Sequence, residues 1–77
     1  METPVAVLKK AKELVESFGN HFNYLGIYQN KQVYKYVFPE GLRSGFPYLF
    51  LYDERKKDVE EITGIEAFEV IRSIQNQ

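Results

Sequence analysis

Ten of the twelve aromatic residues of this chain fall between Phe22 and Tyr52, in a stretch that also reads as β-strand. They are Phe22, Tyr24, Tyr28, Tyr34, Tyr36, Phe38, Phe46, Tyr48, Phe50 and Tyr52. Successive side chains of a strand point to opposite faces of a sheet, so this density loads both faces with aromatic surface. A single small core absorbs one such face. The other needs a helix, a ligand or a partner to cover it.

The segments on either side supply helices. Thr3 followed by Pro4 has the pattern of an N-cap with proline at the first helical position. Val7, Leu8, Ala11, Leu14, Val15 and Phe18 then recur at steps of three and four, which makes one apolar stripe. Gly19-Asn20 supplies a residue of positive φ to end it, so the spacing predicts a helix over Pro4–Phe18. Near the other end, Thr63-Gly64-Ile65-Glu66 fits a capping box. Ile65, Phe68, Ile71 and Ile74, with Ala67 and Val70, read as the inward stripe of a second helix to about Gln75.

Between the helices, Phe22–Tyr28 and Val33–Phe38 form a hairpin pattern around Gln29-Asn30-Lys31-Gln32. A turn at Asn30-Lys31 sets Tyr28 opposite Val33, Leu25 opposite Tyr36 and Tyr24 opposite Val37. One face then holds Leu25, Ile27, Tyr34, Tyr36 and Phe38. The other holds Phe22, Tyr24, Gly26, Tyr28, Val33, Lys35 and Val37. A loop from Pro39 to Pro47 leads to a third strand at Tyr48–Asp53, a charged turn, and a short fourth strand at Asp58–Ile62. The fold class is α+β. The expectation is a two-layer sandwich in α-β-β-β-(β)-α order, an antiparallel meander of three or four strands packed against two terminal helices. Residues 1–77 read as a single globular domain. Leu25, Ile27, Tyr36 and Phe38 are expected on the helix-covered face, opposite Val7, Leu8, Leu14, Phe18, Phe68 and Ile71.

Seventy-seven residues bury only about 60% of their unfolded surface, so a domain of this size leans on disulfides, a metal or oligomerisation. There is no cysteine, and His21 is the only histidine. Disulfides, thiolate sites and His-based metal clusters are therefore excluded, and no cofactor is expected. Oligomerisation is the remaining aid. The formal charge of −1 offers no basic field to gather phosphate backbones. Met1-Glu2-Thr3-Pro4 lacks the basic region of a secretory signal, and the longest apolar run, Phe46–Tyr52, contains Pro47 and is too short to span a bilayer. The expected setting is cytoplasmic.

The candidate interface is the second sheet face, represented by Phe22, Tyr24, Tyr28, Val33 and Val37. Tyrosine suits such surfaces because its ring buries area while its hydroxyl finds a polar partner. The loop Glu40-Gly41-Leu42-Arg43-Ser44-Gly45 brackets a cation with glycines, making Arg43, Ser44 and Gly45 a candidate anion site, although its spacing matches no phosphate-binding fingerprint. Ser44–Leu51 shares glycine and aromatic positions with RNA-recognition strands. It departs from them at Ser44, Pro47 and Leu51, and the helix-first order differs as well. Lys9, Lys10 and Lys12 alternate with Glu13 and Glu16 as an ordinary solvated helix face does. His21, Asp53, Glu54, Glu60 and Glu61 are the available acid-base groups, with no nucleophile or partner spaced to use them. No family motif can be laid onto the chain. The expected function is a non-enzymatic protein-interaction or homodimerisation module, its partner a second copy or another protein. The alternatives are an anionic small-ligand domain and, more remotely, a single-stranded nucleic-acid binder.

Overall fold

The computed structural model describes residues 3–38 and 47–76. Its elements, in chain order, are α1 (Val5–Lys10), α2 (Lys12–Phe18), β1 (Phe22–Tyr28), β2 (Lys31–Tyr36), β3 (Leu49–Asp53), β4 (Asp58–Ile62) and α3 (Ile65–Gln75). The strands make one antiparallel sheet in the order β1-β2-β3-β4, the expected meander with helices at both ends.

The buried strand residues all belong to the two central strands, and they alternate. Tyr34, Tyr36 and Phe50 pack with Val7 and Ala11 of the N-terminal helical segment. Val33, Leu49 and Leu51 pack with Ala67 and Val70 of α3. Each terminal helix therefore takes its own face of the sheet, and the helix-on-sheet sandwich is realised once on either side. This corrects the grouping of Leu25 with Tyr36 and Phe38 beneath a common helical layer. Tyr36 and Phe38 belong with α1 and α2, Leu25 with α3. Burying a side chain of this size contributes roughly 1.5–3 kcal/mol, so covering both faces recovers what a one-sided layer would leave wet.

The hairpin turn lies one residue earlier than the sequence suggested. Gln29 and Asn30 both have positive φ, 50° and 64°, as a two-residue turn that matches strand twist requires. Tyr28 pairs with Lys31, Ile27 with Gln32 and Gly26 with Val33, after which the register shifts between Tyr24 and Gly26. Beyond this bulge Tyr24 pairs with Tyr34 and Phe22 with Tyr36. An extra residue reverses the facing of everything that precedes it. Phe22 and Tyr24 thus join Tyr34 and Tyr36 on the α1–α2 side, whereas Gly26, Tyr28 and Val33 stay on the α3 side. Phe22 then stands edge-on to Tyr36 and Phe50, with ring centroids 5.1 and 5.8 Å apart.

Three helix details also differ from expectation. The first helix is divided at Ala11, whose φ of −95° and ψ of 22° interrupt it, and it is capped by Pro4 without a side-chain hydrogen bond. The break falls at a buried residue, and the hydrogen bonds from Ala11 N–H to the Val7 carbonyl and from Val15 N–H to the Ala11 carbonyl continue across it. The capping box at Thr63 does not form. Gly64, at φ 77°, is the N-cap and makes no side-chain bond. Finally, Ala67 and Val70 are buried, while Ile65 and Phe68, expected to point inward, are exposed. A Cβ at Gly26 would lie 3.1 Å from Ile74 Cγ2, so the glycine in β1 lets α3 approach the sheet closely there.

Tyr36 ties the first helical segment to the sheet. It is 1% exposed, and its hydroxyl lies 2.6 Å from the Gly19 carbonyl and 3.1 Å from that of Leu14. The single proton is donated chiefly to the nearer oxygen. Tyr36→Phe keeps the ring and removes the donor, and it should lower stability by about 1–3 kcal/mol, read as a shift in urea midpoint at constant slope. Gly26→Ala should cost a similar amount, about 1–3 kcal/mol, because φ there is 137° and Ile74 must yield.

Candidate functional site

The sequence-derived interface residues occupy different places. Val33 is fully buried beneath α3, with Tyr28 half-buried beside it. Phe22 is half-buried in the ring cluster on the opposite face. Of the set, only Tyr24 and Val37 are exposed, at 38% and 37%. The bulge separates them physically, since it turns Tyr24 away from Tyr28 and Val33. Arg43, Ser44 and Gly45 lie outside the described residues.

The strand register builds a small aromatic corner on the α1–α2 face. Tyr24, Tyr34 and Phe50 are paired in one row across three strands, and Ile27, Gln32 and Tyr52 in the next. The Tyr24 and Tyr34 rings are 5.4 Å apart, and the Tyr24 hydroxyl donates to Gln32 Oε1 at 2.5 Å. Beside this corner is an open cleft of about 230 Å³, lined by Ile27, Asn30, Gln32, Asp53, Glu54 and Arg55. Ligand sites usually occupy roughly 300–1,000 Å³ and are mostly apolar, so this cleft is small and mixed in charge for a metabolite. Asp53 Oδ1 is already engaged, accepting from the amides of Arg55 and Lys56 in the β3–β4 turn.

A second groove, of about 470 Å³, runs along the break between α1 and α2 and is lined by Lys9, Lys10, Lys12, Glu13, Tyr48 and Glu61 among others. Its lysines face carboxylates in the same lining, and Lys12 pairs with Glu16 at 3.9 Å on an exposed surface. Such exposed pairs contribute little. Among the described residues, no group of three His, Asp or Glu side chains is spaced to hold a metal ion.

The sheet edges are blunted in two ways. β1 carries its bulge, and β4 presents Asp58, Glu60 and Glu61, all exposed. Both devices oppose addition of a further strand. The large apolar side chains that stay exposed among the described residues are Val5, Tyr24, Ile27, Val37, Ile65 and Phe68. Ile65 is 71% exposed and Phe68 47%, and they lie three residues apart, on neighbouring turns. At 100° per residue the uninterrupted apolar arc of α3, from Val70 to Ile71, spans about 100°, and Gln75 and Arg72 separate Phe68 and Ile65 from it.

Comparison with known proteins returns no matching family model, no matching curated protein and no matching solved structure. Among the described residues no helix is long and apolar enough to cross a membrane.

Burial pushes the Tyr34 hydroxyl above the ordinary tyrosine value of 10.0, and the neighbouring Tyr24, Glu54 and Tyr52 add to the effect. Burial alone raises Tyr36. Both folded-state values exceed the unfolded one, so the folded chain holds more protons above the unfolded pKa and stability falls with rising pH. The contribution is complete below pH 10.0 and is lost as pH climbs through the raised values. Urea midpoints followed with tyrosinate absorbance should therefore drop in alkali. Tyr34→Phe and Tyr36→Phe should each flatten the drop.

Proposed function

We propose that the chain is a cytoplasmic, non-enzymatic interaction module that pairs with a second copy of itself. The observation carrying this reading is the set of large apolar side chains that stay exposed once both helices have packed on the sheet, Val5, Tyr24, Ile27, Val37, Ile65 and Phe68 among the described residues. Isolated apolar side chains are ordinary on protein surfaces, but this number on a domain of 77 residues favours a partner.

Light scattering coupled to size exclusion tests the reading. The mean mass should rise from 9.1 kDa toward twice that value across a hundredfold concentration range. A mass fixed at 9.1 kDa throughout would overturn self-association. Tyr24→Asp, at the aromatic corner, locates the surface: loss of pairing with retained fold would put it on the sheet, and an unchanged mass profile would put it elsewhere.

A further inference from the structure

We propose that the cleft between the two hairpin turns binds a free aliphatic α-amino acid. Arg55 and Gln32 take its carboxylate, Glu54 its ammonium and Ile27 its side chain. The site goes beyond the self-pairing reading and needs no second copy.

The meander order sets the β1–β2 turn and the β3–β4 turn at the same end of the sheet. Ile27, Gln32 and Tyr52 stand in one row there. The cleft of about 230 Å³ opens between Asn30 of one turn and Asp53, Glu54 and Arg55 at the other. The Tyr24 hydroxyl donates to Gln32 Oε1, which holds the amide with Nε2 as its remaining donor. Asp53 Oδ1 accepts from the amides of Arg55 and Lys56 and so fixes the path of the second turn. Among the described residues neither Glu54 nor Arg55 makes an ion pair; the pairs there are Lys12–Glu16 and Lys31–Glu60. An acid and a base thus line one small cleft without neutralising each other.

That arrangement selects its occupant by charge. A simple anion would meet Glu54, and a simple cation would meet Arg55. A molecule carrying an ammonium and a carboxylate on one carbon satisfies both groups at once. The volume lies below the roughly 300–1,000 Å³ of ordinary small-molecule sites, which restricts the occupant to a small zwitterion. Ile27, 46% exposed, offers an apolar wall, and an aliphatic side chain covers it. Leucine combines these properties. Because the cleft is open to water its charge contacts are screened, and the expected Kd is about 1 mM.

Titration of the isotope-labelled full chain with L-leucine, followed by NMR, tests the site. Saturable shifts should centre on Asn30, the Gln32 side-chain amide, Glu54 and Arg55. Isocaproate, which lacks the ammonium, and isoamylamine, which lacks the carboxylate, should each bind about tenfold more weakly. Glu54→Gln and Arg55→Gln should each weaken leucine binding by about the same factor. Both side chains are exposed, so the thermal melts of these variants should match the parent. Shifts that do not saturate, shifts centred elsewhere, or equal binding of either single-charge analogue would overturn the site. A chain that stays monomeric yet binds leucine in this way upholds the site while removing self-pairing, so the two readings fail separately.

Discussion

Two central strands with no polar face govern this structure. β2 and β3 bury Tyr34, Tyr36 and Phe50 on one side and Val33, Leu49 and Leu51 on the other, and no apolar layer on a single side could satisfy both. The chain answers by sending its N-terminal helical segment to one face and its C-terminal helix to the other. Each helix then covers a different set of rings or branched aliphatics. Oily area that would have been surplus in a one-sided arrangement becomes the core of a small domain, whose typical stability of about 5–15 kcal/mol leaves little to spare.

The bulge at Leu25 makes the division work. Without it, Phe22 and Tyr24 would face α3 and compete for the space that Gly26 and Ala67 keep narrow. With it, Phe22 completes the edge-on group with Tyr36 and Phe50, and Tyr36 in turn holds the end of α2 through the Gly19 carbonyl. On the other face α3 turns Ala67 and Val70 inward, and a Cβ at Gly26 would press on Ile74, so the glycine keeps room for the helix.

Surface chemistry narrows the routes to association further. Unprotected strand edges invite uncontrolled pairing, and here one is kinked and the other acidic. The aromatic corner at Tyr24 is small, and its hydroxyl is already bonded to Gln32.

Local information sufficed for much of this. Alternation of aromatic and branched residues marked the first three strands while the fourth, Asp58–Ile62, was left open; Asn30 marked the turn to within a residue, Gly19 marked the end of the helical N-terminus, and the apolar pattern after Gly64 marked α3. The β1–β2 and β3–β4 pairings followed from short connections, which leave antiparallel neighbours few alternatives; the twelve residues between β2 and β3 carried no such constraint. The candidate site was legible only in part, because its residues were chosen by strand parity and parity does not survive a bulge. The division at Ala11, the extra residue at Leu25, the facing of each helix and the outward turn of Phe68 depend on contacts between segments far apart in the chain. Close-packed neighbours choose among rotations and registers that the sequence pattern leaves nearly equal, so only the assembled tertiary structure could decide them.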